Sequence, residues 1–170
     1  MDDHPPRRAR LLEFALAAAF IGVASLFLID AISDLQEEAE RLTVETTVRN
    51  MNSGLFLRQA KAMVTGRERE LPALALENPV EWLENPPAGY DGAGSCGDSG
   101  PAEAGHWCWD PSARRLHYRP LRADGLKVEG NVPILTWRVH APADSLAIRP
   151  GSLRVVADRG YVWQAQRFGG

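Results

Sequence analysis

The chain has 170 residues, a net charge of −3, and 45% hydrophobic residues that include five Trp and three Tyr. This length and composition allow one modest domain with a real core beside any membrane segment. The slightly acidic balance leaves no basic surface of the kind that binds nucleic acid, so nucleic acid is not an expected partner.

The most informative segment is the stretch Leu11–Ile29, which is apolar apart from Glu13, Gly22 and Ser25. Its length is about what a helix needs to cross the hydrocarbon core of a bilayer. We therefore predict a transmembrane helix over residues 11–30, preceded by a short tail over residues 1–10, and expect the membrane to be a partner.

The flanking charges give this helix a direction. Three arginines precede it between residues 7 and 10, and five acidic residues follow between residues 30 and 40. Because positive residues favour the cytoplasmic side, we expect a single-pass inner-membrane protein with a cytoplasmic N-terminus and a periplasmic C-terminal domain. The alternative is a cleaved secretory signal peptide, but cleavage near Ala31 would place the bulky Ile29 at the −3 position, which favours retention.

Residues 31–66 are predicted to continue as a periplasmic amphipathic helix, with Gly66 placed to end it. Gly54 weakens this helix locally and allows a kink near residues 50–54. A coiled coil is an alternative cover for its apolar face, although strict a/d heptads last only about two repeats in this segment. Apolar residues at three- and four-residue spacing predict the buried stripe: Ile32, Leu35, Ala39, Leu42, Val44, Val48, Met51 and Leu55.

Residues 67–105 form a connecting region rich in proline and glycine, which predicts irregular structure. Within it, Asn78 and Pro79 have the chemistry of a helix cap and a first helical position, so one helical turn is expected there. Trp82 and Leu83 would then dock on the core.

Residues 106–170 have the pattern of a β head. Two short strands flank the turn residues 110–114, and a longer strand is predicted over Val132–His140, where apolar and polar residues alternate. A second hairpin is expected from residues 153–156 and 161–166. The predicted fold class is therefore α+β, with the long N-terminal helix packed on a four- to five-stranded antiparallel sheet.

The two cysteines, Cys96 and Cys108, favour a disulfide in an oxidising compartment, worth about 2–3 kcal/mol. The alternatives are two unpaired buried thiols, or a zinc site that adds His106 and His117. That spacing matches none of the compact zinc patterns, so no metal and no cofactor are expected.

Catalytic motifs are missing from the sequence, which lacks a G-x-S-x-G elbow, H-E-x-x-H, a P-loop and G-x-G-x-x-G. Ser95 and Ser99 lie in a glycine-rich loop that would not hold a nucleophile in place, so we do not expect an enzyme. The tryptophans form either an exposed strip for sugars or peptides or part of the core. We favour a core that takes one of Trp107 and Trp109, together with Trp137 and Trp163.

A long helix, apolar in its first half and amphipathic in its second, followed by an irregular loop and an antiparallel sheet, resembles type IV pilins and the pseudopilins of type II secretion. Arg10-Leu-Leu-Glu-Phe-Ala15 is similar to the start of a pilin, where a glutamate lies a few residues into an apolar helix. The segments 78–90 and 107–118 are most similar to minor components of MSHA-type pilus biogenesis.

This resemblance implies an accessory subunit that packs laterally with other pilin-like subunits or inner-membrane assembly proteins. Glu13 would pair with an amine or an arginine of a neighbour; the alternative is that it reaches the lipid headgroups beside Arg10. Arg8 and Ala9 stand where pilin precursors carry Gly and usually Phe, which places cleavage of the tail in question. Four small residues would permit close helix approach: Ala15, Ala18, Ala19 and Gly22.

Two other functions fit the same sequence. One is a bitopic inner-membrane scaffold or sensor outside any pilus system, which recruits partners through residues 35–55. The other is a periplasmic ligand-binding module that uses the tryptophan-rich sheet.

Overall fold

The fold was analysed in a computed structural model, which describes residues 7–97, 100–123, 125–130, 132–142 and 151–164, without the side chains of residues 7–10, 30, 31 and 34. Most of the predicted tail, Ser99 and the end of the last predicted strand lie outside the described residues. The elements, in chain order, are α1 (Arg7–Val64), two short 3-10 turns (Glu68–Glu70 and Pro79–Trp82) on either side of α2 (Leu71–Leu74), and seven strands: β1 (Tyr90–Ala93), β2 (His106–Asp110), β3 (Arg115–Arg119), β4 (Leu126–Val128), β5 (Leu135–His140), β6 (Arg154–Ala157) and β7 (Tyr161–Trp163).

Helix α1 runs without interruption for 58 residues, which corresponds to about 87 Å at 1.5 Å per residue. It ends where the sequence predicts. Gly66 adopts a positive φ of 69°, its N–H donates to Met63 O at 3.1 Å, and Arg67 N–H donates to Ala62 O at 2.7 Å. This pair of bonds is a Schellman cap, which satisfies carbonyls that the last turn leaves open.

The strands form two sheets. The larger has the order β1-β2-β3-β5-β6 and is antiparallel except for the parallel pair β1 and β2. The fold class α+β and the β2–β3 hairpin are confirmed, but the expected second hairpin is wrong. Strand β6 pairs with β5, whereas β7 pairs with β4 in a separate two-stranded sheet. Neither β1 nor β4 was predicted.

One face of the larger sheet carries the aromatic core. Trp107 stacks near Trp137, with ring centroids 5.3 Å apart, and lies 4.5 Å from the ring of Tyr118. The expectation that only one of Trp107 and Trp109 would be buried is wrong, because they are 3% and 4% exposed. Strand β2 lies between β1 and β3, so neither tryptophan is at a sheet edge.

The buried face of α1 differs in part from the predicted stripe. Val44, Met51 and Leu55 are buried, as predicted. The earlier part of the stripe is wrong, because its large members remain open to solvent: Ile32 (46% exposed), Leu35 (69%) and Leu42 (50%). The face turned to the head in this part of the helix contains Glu37 instead, which is only 5% exposed.

Two side-chain amides of α1 bind the backbone of the edge strand β6 and of Leu153, the residue just before it. Asn52 Oδ1 accepts from Val155 N–H at 2.9 Å and Asn52 Nδ2 donates to Val155 O at 3.2 Å. Gln59 makes the same two-point contact with Leu153, at 3.4 Å in both directions. This amide pair (Asn52 and Gln59) takes the place of a neighbouring strand, so it covers an edge that would otherwise expose unpaired backbone groups.

The helical turn predicted at Asn78 is confirmed as a 3-10 turn. The Asn78 side chain accepts from Val80 N–H at 3.1 Å, and Trp82 is buried. Gly54 lies directly beneath this turn, where an added Cβ would be 2.6 Å from Trp82 O and 3.0 Å from Trp82 Cβ. Gly54 has a low helix propensity, but its missing side chain is what lets the turn approach the helix.

We predict that Gly54→Ala lowers the free energy of unfolding, although alanine is the better helix former by about 1 kcal/mol. The added methyl group collides with a backbone oxygen, and overpacking of this kind costs about 1–3 kcal/mol. Denaturant unfolding of the full-length protein in detergent micelles, followed by tryptophan fluorescence, measures the change. The neighbouring, exposed Ser53→Ala is the control; equal or greater stability of Gly54→Ala than of Ser53→Ala would contradict the prediction.

Candidate assembly interface

The first half of α1 has no cover from the head. Leu11–Ile29 has a mean hydropathy of 2.3 and is 0% buried, and it is the one helical segment among the described residues that is long and apolar enough to cross a membrane. A signal sequence near an N-terminus has the same length and composition. The exposed surface is large and contiguous, far beyond the scattered apolar residues of an ordinary soluble surface.

The five residues predicted for helix packing all lie on this uncovered surface. At about 100° per residue, four small residues share an arc of about 100°: Ala15, Ala18, Ala19 and Gly22. Apart from its chain neighbours and the adjacent helix backbone, no described atom lies within 4 Å of a Cβ added at Gly22. Glu13 lies about 170° from the centre of that arc. The small residues and the carboxylate therefore belong to opposite faces of the helix.

A carboxylate pair, Glu37 and Glu40, joins α1 to the head beyond the apolar segment. Glu37 Oε1 accepts from Trp163 Nε1 at 3.0 Å and from Gly125 N–H at 3.1 Å. Glu40 Oε1 accepts from Tyr118 Oη and from Leu121 N–H, both at 2.7 Å. Charged acceptors make stronger hydrogen bonds than neutral ones, so the pair fixes the helix to strands β3 and β7 and the turn before β4.

This attachment sets the distance between the head and the apolar segment. Glu37 follows Ile29 by eight residues, which is about 12 Å along a helix. Arg41 adds rigidity on the same stretch by pairing with Glu38 and, at 2.7 Å, with Glu45. The hydrogen bond to Glu38 is the main reason that the pKa of Arg41 is raised.

A groove of about 560 Å³ runs between α1 and the head, lined by Glu40, Val44, Pro87, Trp107, Tyr118 and Leu121, among others. Burial and the hydrogen bond to Glu40 raise the pKa of Tyr118, so its hydroxyl stays a donor. The surface of the groove is mainly apolar, and the groove is open to solvent beside the helix.

The predicted disulfide between Cys96 and Cys108 is present, with the two Cα atoms 5.4 Å apart. Both sulfur atoms are thereby committed, which removes them from the zinc set considered above. His106 Nδ1 lies 2.7 Å from Asp91 Oδ1, across the parallel pair β1 and β2, whereas His117 Nδ1 lies 3.2 Å from Thr136 Oγ1. Among the described residues, no group of three or more His, Cys, Asp or Glu is placed to hold a metal ion.

The tryptophans do not form an exposed strip. All five are buried, from Trp137 at 2% exposed to Trp82 at 8%. The opposite face of the sheet carries a polar cleft of about 300 Å³, in which Asp158 pairs with Arg115 at 2.8 Å and with Arg138 at 2.9 Å. The arrangement stabilises the sheet and offers no aromatic platform for a sugar or a peptide.

Comparison with known proteins gives no match to a family model, to a curated protein or to a solved structure.

We predict that Glu37→Leu destabilises the attachment of α1 to the head. The substitution leaves the buried Trp163 Nε1 and the partly buried Gly125 N–H without an acceptor, and a buried donor left without its acceptor costs about 1–3 kcal/mol. Glu37→Gln is the matched control, because its amide oxygen can accept the same two bonds. Denaturant unfolding in detergent micelles should give the highest free energy of unfolding for the wild type, a lower one for Glu37→Gln and the lowest for Glu37→Leu. A Leu variant as stable as the Gln variant would show that these bonds contribute little.

The His106–Asp91 contact predicts a pH dependence. The hydrogen bond to Asp91 raises the pKa of His106 above its ordinary value of 6.5. The contact therefore contributes its full stabilisation below pH 6.5 and loses it as the pH rises through the higher pKa of the folded protein. Titration of His106 by NMR should show the raised pKa, and Asp91→Asn should lower it; an unchanged pKa in Asp91→Asn would assign the shift to another cause.

Proposed function

We propose that the protein is a non-enzymatic, membrane-anchored, pilin-like accessory subunit of a type IV pilus or type II secretion apparatus. The observation that supports this most is the continuity of α1. One helix is uncovered and apolar over Leu11–Ile29 and is then bonded to the head at Glu37, Glu40, Asn52 and Gln59. Lateral packing of the first half therefore determines where the head lies against its neighbours.

In this proposal the N-terminus is cytoplasmic and the head is periplasmic. The arginines between residues 7 and 10 favour that orientation. The bonded pair Cys96 and Cys108 suits an oxidising compartment such as the periplasm. The apolar segment then remains in the inner membrane as a single-pass anchor.

The two faces of the anchor would have different roles. The face with Ala15, Ala18, Ala19 and Gly22 lets another helix approach closely, because small residues bring the backbones together. Glu13, on the opposite face, would pair with an amine or an arginine of a second neighbour. A subunit with two contact faces can be inserted into an assembly of helices. The tail also fits an accessory role, because Arg8 and Ala9 differ from the residues that flank the cleavage point of a pilin precursor.

We predict that Gly22→Leu abolishes most of the activity of the assembly, because the added side chain holds the neighbouring helix away. The measurement is the recovery of surface pili or of secreted protein in source cells that lack the gene and carry each variant. Ala17→Leu is the matched control: Ala17 is also small and exposed, but it lies about 150° from the centre of the small-residue arc.

Equal recovery by the two variants at equal membrane levels would remove the support for lateral packing through Gly22. If deletion of the gene changed neither pili nor secretion, the pilin-like proposal itself would be wrong, and a scaffold or sensor outside any pilus system would take its place.

A further inference from the structure

The apolar face of α1 that the head leaves uncovered has a regular repeat. Starting at Leu11 and taking alternate steps of three and four residues, the positions reach Leu42, and every one is exposed and uncharged. We call this set the seam. Its large members range from Ile32, 46% exposed, to Phe14, 73% exposed. Over its 31 residue steps the seam is about 47 Å long, so it extends from the apolar segment well into the part of α1 that carries the head.

The spacing of the seam is that of a heptad repeat, with Leu11, Ile32 and their equivalents at position a and Phe14, Leu35 and their equivalents at position d. Within the second half of α1 alone this repeat lasts only about two heptads. It becomes longer when the apolar segment is included, because that segment keeps the same register.

Charge is kept away from the seam. From residue 11 to residue 43 the sequence places every ionisable residue at heptad position b, c, f or g, and none at a, d or e. Glu38, the one such residue at position g, bonds to Arg41 of its own helix. A second helix can therefore approach the a and d positions without burying a charge of α1, which would be costly. Position e is free of charge on α1 itself, but Gln36 at this position accepts from Arg122 of the head at 3.5 Å.

The main contacts of the head lie on the opposite side of the helix, although the groove beside the head reaches Ala39 of the seam. Glu37 and Val44, which are buried against the head, occupy position f, and Glu40, which bonds to it, occupies position b. These positions lie about 100–170° from the middle of the seam. Two helices that meet along their seams would therefore carry the main bodies of their heads outward.

We infer that the seam pairs with a second copy of this chain as a parallel, in-register, two-stranded coiled coil from Leu11 to Leu42. Copies of a membrane protein share one orientation, so a partner that matches the seam across the apolar segment and beyond it runs parallel. The β-branched Ile32 at a with Leu35 at d favours two strands. The small Ala18 and Ser25 at a permit close approach in lipid.

The seam has a definite end. The next d position after Leu42 is Arg49, which is exposed, and an in-register partner would place a second guanidinium opposite it. Like charges in that position repel, so pairing stops before Arg49. The inference deepens the proposed function by naming a partner; it rests on the membrane anchoring in that proposal, but not on a pilus or a secretion apparatus.

We predict that Leu35→Cys forms a covalent dimer and that Leu57→Cys does not. The two positions are equally exposed, at 69% and 68%, but Leu57 lies beyond Arg49 and outside the seam. Each full-length variant is reconstituted into phosphatidylcholine vesicles at a high lipid-to-protein ratio, oxidised with copper phenanthroline and run on a non-reducing gel. We expect most of the Leu35→Cys protein in the dimer band and less than about a tenth of the Leu57→Cys protein, because a disulfide needs Cα atoms within about 7 Å.

A mixture of Leu35→Cys with Leu42→Cys, one of them carrying a size tag, tests the register. In-register helices hold these two positions about 10 Å apart along the axis, so each variant should link to its own kind and mixed dimers should be scarce. Abundant mixed dimers would indicate staggered packing and overturn the inference.

Equal linkage at Leu35 and Leu57 would likewise overturn it. Mass measurement of the monomer confirms that the bond between Cys96 and Cys108 is intact and that the introduced cysteine reacted alone. The outcome is separate from that of the proposed function. If dimers form but gene deletion affects neither pili nor secretion, the pairing stands and the pilin-like role is wrong. If gene deletion affects pili or secretion but no dimers form, the pilin-like role stands and the pairing is wrong.

Discussion

The structure depends on the hydrogen bonds by which polar side chains of α1 hold the head. Glu37 binds the turn before β4 and a tryptophan of β7, Asn52 binds the backbone of β6, and Gln59 binds the backbone of Leu153 just before β6. A buried donor that loses its acceptor costs far more than a typical hydrogen bond contributes. Rotation or sliding of the helix would break several of these bonds together, so the head has one orientation on α1.

A fixed orientation divides the surface of the helix. The face with Glu37, Val44 and Met51 belongs to the head, and Gly54 provides the space into which the turn at Trp82 fits. Another face of α1, which includes Leu35 and Leu42, remains exposed. Because α1 is continuous from Arg7 to Val64, a contact made by its apolar half determines the direction in which the head points.

The sequence predicted the features that local chemistry determines: the end of α1 at Gly66, the capped turn at Asn78, and the hairpin of β2 and β3. The features that it did not predict depend on partners far away in the chain. Strand β4 was not predicted, and β7 was predicted with the wrong partner. Each has three residues, too few for a clear alternation, and the two strands pair with each other. For the candidate site, the exposed apolar segment follows from composition, and the packing role of its small residues stays a prediction. The contacts of Glu37 with Trp163 and Gly125 join residues that no local pattern connects.

The error over Ile32, Leu35 and Leu42 follows from the rule that an apolar stripe on a helix faces the core of its own domain. Here the core of the domain takes a different face, so the stripe is apolar for another reason. Lipid is not sufficient, because Leu42 follows Ile29 by 13 residues, about 20 Å along the helix, and the apolar segment alone already has the length of a bilayer core. On the proposed membrane topology, an apolar stripe that begins within that segment and continues beyond it matches the surface of another helix that leaves the membrane in the same direction. A second copy of α1 would be such a helix.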